Sequence, residues 1–220
     1  MAYREFVSLI HKSTSRDYVA RVTQRDKADV AEMALKWDFD YWDGSRDTGY
    51  GGYNYDGRWK TVAAKMIDEY KIEPGMRILD IGCGKGFLLH DILQACPSVE
   101  VHGIDISGYA IERCLQTVRN NCKIGNAISL PFMDSTFDLV LSLNTLHNLY
   151  DYELDNALSE IERVSRGGKY ICVESYRTER EKVNLMYWQL TCRQFKTPKE
   201  WEFCFERAGY HGDYECIYFE

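Results

Sequence analysis

No run of lysine and arginine occurs anywhere in this chain, and its formal net charge is −7. A broad nucleic-acid footprint needs the opposite sign of charge, so the expected partner is a small molecule rather than DNA or RNA. No stretch approaches the ~20 consecutive apolar residues that cross a bilayer, so no membrane partner is expected. The N-terminus also lacks the charged-then-apolar order of a secretion signal. The eight cysteines include no C-x-x-C pair and no Cys/His ligand spacing. That pattern argues against a metal site and a disulfide framework, and for the free thiols of a cytoplasmic protein. There is no internal repeat and no low-complexity linker. With 45% hydrophobic and 28% charged residues, the 220-residue chain reads as one domain with a sizeable core.

The stretch that organises the rest is Arg77 to Leu89. Ile78 to Ile81 is a short apolar run of the kind that forms a strand buried on both faces. Gly82, Gly84 and Gly86 follow at every second position, and apolar residues then resume at helical spacing with Phe87, Leu88, Ile92 and Leu93. Strand, glycine turn and helix in that order open a nucleotide-binding crossover unit. A dinucleotide fingerprint, G-x-G-x-x-G, would place its third glycine where Phe87 stands. Asp80 near the strand's end would also sit badly beside a pyrophosphate, whereas an acid suits a ligand carrying a cationic amine and hydroxyls.

Asp80-x-Gly82-x-Gly84-x-Gly86 resembles the first motif, D-x-G-x-G-x-G, of the class I S-adenosylmethionine (SAM) dependent methyltransferases. The next predicted strand, Val99 to Ser107, strengthens the likeness. Its acid, Asp105, lies 19 residues past Gly86, where a ribose-binding carboxylate belongs. In the resembling family that acid holds both ribose hydroxyls, and the apolar residue after it, here Ile106, lies against the adenine. Asn126 to Asp138 also resembles the family's G-D-A-x-x-L-P-F-x-D-x-S-F-D segment. There Asn126 replaces the usual acid, and its carbonyl can still accept the adenine amino hydrogen bond. The resemblance implies that Cys83, within the glycine turn, and Ala127, by its amide, also meet the cofactor, whose product would be S-adenosylhomocysteine (SAH).

Before the first motif the texture changes. A short helix is expected with Tyr3, Phe6, Val7 and Ile10 on one face, and a second over about Asp26 to Lys36. Asp38 to Gly44 and Gly49 to Trp59 are too rich in glycine and aromatics for a regular element. They read as an ordered loop, a lid over the cofactor that brings Tyr53 and Tyr55 to the substrate. Arg46 and Arg58 are its guanidinium groups, and either can clamp the methionine carboxylate of the cofactor or an anionic group of the substrate. Arg58 is favoured for the cofactor because it precedes the helix, Trp59 to Tyr70, that leads into the first motif.

Phe137 to Leu143 reads as a central parallel strand, and ligands gather at the carboxyl ends of such strands. Asn144 would face the methionine part of the cofactor, and His147 is the histidine placed to act as a general base. A packing role for His147 weighs equally, because a sulfonium is electrophilic enough for positioning alone to serve. Glu174 and Tyr176, at the end of the strand Lys169 to Ser175, are candidates to touch substrate. Helices are expected over Tyr109–Val118, Tyr152–Val164 (stopped by Gly167-Gly168), Glu179–Thr191 and Lys199–Arg207. A last strand, Tyr214 to Glu220, follows. The family usually closes its sheet with two strands here, the last antiparallel. This chain has room for one, unless Met186 to Phe195 supplies the other.

The expected fold is therefore α/β: a doubly wound, mainly parallel sheet with helices on both faces. Residues 1–58 form an N-terminal helical and aromatic lid, and residues 59–220 the SAM-binding part of one compact domain. The implied function is methyl transfer from SAM to an oxygen or nitrogen of a small molecule. The lid's likeness to a subset of bacterial methyltransferases points to a sugar or surface-polysaccharide precursor. A non-catalytic SAM-binding regulatory subunit and an NAD-dependent oxidoreductase are the alternatives.

Overall fold

A computed structural model describes residues 1–220. Six apolar stretches form strands: β1 Arg77–Ile81, β2 Glu100–Asp105, β3 Cys122–Ile124, β4 Phe137–Leu143, β5 Ser165–Ser175 and β6 Asp213–Tyr218. They pair in the order β3-β2-β1-β4-β5-β6, every pairing parallel. Parallel neighbours need long crossovers, and these put helices on both faces. The helices in chain order are α1 Ser8–Lys12, α2 Ala20–Thr23, α3 Lys27–Ala34, α4 Phe39–Trp42, α5 Lys60–Glu69, α6 Phe87–Ala95, α7 Gly108–Glu112, α8 Asp151–Val164, α9 Glu179–Trp188 and α10 Pro198–Arg207. None is long and apolar enough to cross a membrane.

Strand periodicity divides the core in two. Ile78, Val101, Leu139 and Leu141 face α5 and α6, where Met66, Leu89 and Ile92 are fully buried, and Phe6 and Val7 join this layer. Leu79, Val140 and Ile171 face α8 and α10, against Leu158, Ile161, Trp201 and Phe205. Burying each such side chain stabilises the fold by roughly 1.5–3 kcal/mol, so these two layers hold the sheet. The strand order reverses between β1 and β4, and the crevice there, at their carboxyl ends, is where such folds bind ligands.

Helix punctuation follows the sequence closely at several ends. Asp26 caps α3 through the amides of Ala28 and Asp29, and Ser107 caps α7 through Ala110. Thr197 and Glu200 form a capping box at α10, with Pro198 in its first turn and Gly209 at φ +71° just past its end.

Four expectations fail for identifiable reasons. Tyr3 and Phe6 are not helical, because Tyr3 forms a parallel bridge with Tyr214 and the chain turns helical only at Ser8. No second strand closes the sheet, since Gln189 to Phe195 is unpaired; the Tyr3 bridge lies along β6 instead. The helix expected to reach Val118 stops at Glu112, and the Leu115 amide donates to the Lys85 carbonyl at 3.1 Å instead. Gly167-Gly168 does not stop α8 but lies inside β5. The β4–β5 register shifts there, and a Cβ on Gly167 would come within 2.4 Å of the Asp138 carbonyl oxygen.

Candidate functional site

The glycine turn after β1 has the backbone its sequence implies. Gly82 and Gly84 have φ of +82° and +54°, and a Cβ on them would lie 1.8 Å from Thr145 Oγ1 and 2.8 Å from the Trp42 ring. Side chains are excluded there by both conformation and space. The turn edges a cleft of about 260 Å³ above the carboxyl ends of β1, β2 and β4. Gly86, expected with the others, does not line this cleft. It caps α6 at φ +72°, and a Cβ there would press on Val118 at 2.7 Å, so its role is packing the turn onto the next segment.

Two acids give the cleft its character. Asp80 is 4% exposed and its Oδ1 has no hydrogen-bond partner. Burial, followed by the nearby charge of Asp105, raises its pKa to about 7. Asp105 is also buried; its Oδ2 accepts from the Gly84 amide at 2.7 Å and its Oδ1 from the Ser107 amide at 2.8 Å. Burial raises it to about 6 although these two amides pull the other way. Ile106 offers an exposed apolar surface at the cleft, with Asn126 and Ala127 in the same lining. The Asn126 side-chain oxygen, Oδ1, accepts from the Ile128 amide at 3.1 Å, which fixes its direction. Cys83 and Asn144 complete the set of expected residues brought together here. Asn144 holds a left-handed φ of +55°, a conformation asparagine tolerates better than most residues and one that marks functional turns.

A second, outer cavity of about 440 Å³ adjoins the cleft, and Tyr41, Tyr50, Tyr53, Trp59 and Asn144 line both. Tyr53 stacks on Phe87 with ring centroids 4.7 Å apart, which sets it between the two spaces. His147 and Glu174 stand at the wall of the outer cavity, both buried. His147 Nδ1 accepts from the Glu174 amide at 3.3 Å, and Nε2 lies 3.4 Å from Glu174 Oε2. An Nδ1 that accepts leaves the ring proton on Nε2, and burial lowers the imidazole pKa to about 3. His147 is therefore in the expected place, neutral, with Nδ1 engaged by the Glu174 amide and Nε2 facing the Glu174 carboxylate. Glu174 is the reverse case. Burial raises it to about 8, Gln189 donates to Oε1, and Oε2 has no hydrogen bond.

The arginine and tyrosine expectations need correction. Arg58 lines the outer cavity, not the cleft, and is held by Asp56, with Nη2 2.6 Å and Nε 2.8 Å from Oδ2. Its cofactor role is thus not what this arrangement offers. Arg46 reaches the outer cavity as expected, while Tyr55 turns away and donates to Asp91 at 2.6 Å. Tyr176 lies beneath Lys182 Nζ at 5.2 Å from its ring centre and lines neither cavity.

Several site residues gave no sequence signal. Lys85, 5% exposed within the glycine turn, donates to Asp43 at 2.6 and 2.8 Å and to the Tyr53 carbonyl at 2.8 Å. Tyr109 donates to the same Asp43 at 2.9 Å, and Trp42 Nε1 to Ser107 at 2.9 Å. These bonds latch the aromatic lid onto the glycine turn and the start of α7. The periodicity of the motif treats Lys85 as a variable position; its partners come from a distant loop. Arg16, Arg21 and Trp188, all at the outer cavity, were equally silent.

A family model described as "Methyltransferase domain" matches residues 72–209. The demethylmenaquinone methyltransferase of Symbiobacterium thermophilum is 35% identical over 128 residues, covering 54% of this chain and 50% of that one. The chain thus spans about half the length of curated relatives of this kind. Among solved structures, the YcgJ protein of Bacillus subtilis superposes with a TM-score of 0.53 at 24% identity, covering 66% of each chain. A geranyl diphosphate methyltransferase in complex with SAM gives a TM-score of 0.56 at 16% identity, covering 68% of this chain and 64% of that one. At these identities the two structures speak for the fold, which they share.

Proposed function

The chain belongs to the methyltransferase-domain family, and from that premise we propose that it moves a methyl group from SAM to an oxygen or nitrogen of a small, polar acceptor. The observation that carries this reading is the unpartnered Oδ1 of buried Asp80 beside buried Asp105 at one glycine turn. An uncompensated buried carboxylate is costly, and a cationic amine in the cleft would relieve it. The residues present fit SAM: Asp80 suits the amino group of its methionine part, and Asp105 the ribose hydroxyls. Ile106 and Ala127 suit the flat adenine, with Asn126 as acceptor for its amino group. Bound there, SAM supplies a methyl group on a positively charged sulfur, already activated for displacement.

The protein's own contribution is orientation, water exclusion and removal of a proton. Tyr53 and Asn144, shared by cleft and outer cavity, mark where acceptor and cofactor meet. Lys85 and Asp43 keep the lid closed on that junction, which excludes water from the displacement. Glu174 Oε2, free of hydrogen bonds and buried, takes the proton that the acceptor hydroxyl or amine loses as it gains the methyl group. His147 backs that carboxylate. The aromatic walls Tyr41, Tyr50 and Trp188, interleaved with polar groups, suit a hydroxylated ring such as a sugar.

The roomy outer cavity favours an enzyme over a non-catalytic subunit, whose acceptor space would be blocked. Turnover with methyl-labelled SAM and a panel of hydroxylated and amino acceptors tests this. Label on an acceptor oxygen or nitrogen is the expected result. Tight SAH binding without transfer to any acceptor would favour the regulatory subunit.

A further inference from the structure

The outer cavity carries a charge arrangement that methyl transfer alone does not require. Arg16, Arg21 and Arg46 come from three separate segments, yet their guanidinium carbons lie 5.5, 5.1 and 5.1 Å from the centre of one indole, that of Trp188. All three line the outer cavity, and none makes an ion pair with a carboxylate within 4.0 Å. In a chain of net charge −7, three crowded and unneutralised cations are the exception. Most other arginines with buried surface here are paired, such as Arg163 with Glu160 and Arg177 with Glu181.

Their donors are only partly used. Arg16 gives Nη1 to the His11 and Thr14 carbonyls and Nη2 to His11 Nδ1, but its Nε is buried with no partner. Arg21 donates to the Trp188 and Arg46 carbonyls through Nε and Nη1, and Arg46 to the Tyr50 carbonyl through Nη1. Those carbonyl bonds fix each fork in place while leaving Nη2 of Arg21, and Nε and Nη2 of Arg46, free. Burial and the neighbouring charge of Arg46 push Arg21 down to about 10, although Asp47 pulls the other way from beyond ion-pair distance. Such a cluster is pre-formed, and its repulsion would be relieved by a multiply charged oxyanion.

We propose that the acceptor bears a phosphate group, gripped between Arg16, Arg21 and Arg46 against Trp188, with its methyl-accepting end directed to Glu174 and the cleft. Three cations match a phosphate dianion better than a single carboxylate. Glu174 lies in the same cavity, so the two ends of one small molecule meet the clamp and the proton acceptor together. This inference rests on the methyltransferase reading and narrows its substrate class.

The test is calorimetric titration of inorganic phosphate, and separately of malonate, into the full chain saturated with SAH at fixed ionic strength. Wild type is compared with Arg21→Gln, Arg46→Gln, the charge-preserving Arg21→Lys, and Arg180→Gln as an exposed control on α9. Phosphate should bind wild type, and its Kd should rise about tenfold or more in the first two variants. Arg21→Lys should recover part of the loss, Arg180→Gln should match wild type, and SAH affinity should be the same in all. Undetectable phosphate binding, equal weakening by Arg180→Gln, or malonate binding as tightly as phosphate would each overturn the proposal. Because SAH is titrated into every variant first, a misfolded variant is recognised, and failure of SAH binding in wild type would sink the methyltransferase reading instead.

Discussion

Asp80 illustrates how a single residue trades stability for binding. Its pKa in the fold is about 7, well above the ordinary carboxylate value, so the folded chain binds that proton more tightly than the unfolded chain. The stability linked to the proton is complete at pH below ~4 and is lost as pH rises through 7. Asp80→Asn, which keeps the shape without the charge, should therefore raise the melting temperature of the ligand-free protein at pH 8. The gain should be on the order of 3 kcal/mol. The same variant should bind SAH less tightly, and a variant that melts lower at pH 8 would contradict the account of this buried charge. Glu174, at about 8, has the same sign. If its carboxylate takes the acceptor's proton, kcat should climb with pH to a plateau above ~8, and Glu174→Gln should lose that limb along with about a hundredfold in rate. At this scale the residues of the cleft were legible, because Asp80, Gly82, Gly84, Asp105 and Asn126 fall at fixed offsets along one crossover unit. The balance between His147 and Glu174 was not, since it depends on which ring nitrogen meets a backbone amide 27 residues away.

Elements are held to one another by two buried side chains with opposite charges. Lys85 joins the glycine turn to the lid through Asp43 and the Tyr53 carbonyl. Lys85→Met should leave the sheet intact but free residues 37–55, costing roughly 3 kcal/mol locally. Hydrogen exchange in that stretch should rise well above wild type, and unchanged protection there would show that aromatic packing alone holds the lid. Glu215, fully buried on β6, accepts from the amides of Phe6 at 2.7 Å, Val7 at 2.9 Å and Ser8 at 2.7 Å, and from the Tyr170 hydroxyl. Glu215→Leu strands those amides, and a loss of about 3 kcal/mol or more in chemical denaturation is expected. A loss near zero would mean the N-terminal segment docks by its apolar side chains alone. Sequence periodicity read α5, α6, α8 and α10 well because each presents an apolar stripe to the sheet, and α3 because its stripe packs on Leu190 and Tyr41. It failed for Tyr3 to Val7, where the same spacing serves a bridge to β6 and a carboxylate anchor, contacts that only the folded chain creates.

At the scale of the whole molecule, the all-parallel order β3-β2-β1-β4-β5-β6 places one crevice between β1 and β4, and the glycine turn, Asp80, Asp105 and Asn144 line it. The alternating sheet, the crossover helices and the location of that crevice were readable from apolar runs and glycines. The outer cavity was not, because its walls come from α1, α2, the lid and α9, which no local pattern relates. The crevice is proposed to hold an adenosyl sulfonium cofactor against Asp80 and Asp105. Calorimetric titration of SAH and of NAD into the wild-type protein and into Asp105→Ala tests it most directly. Saturable binding of SAH at one site, no binding of NAD, and SAH affinity at least about tenfold weaker in Asp105→Ala are expected. Binding of NAD in place of SAH, or an Asp105→Ala variant that binds SAH as tightly as wild type, would contradict it.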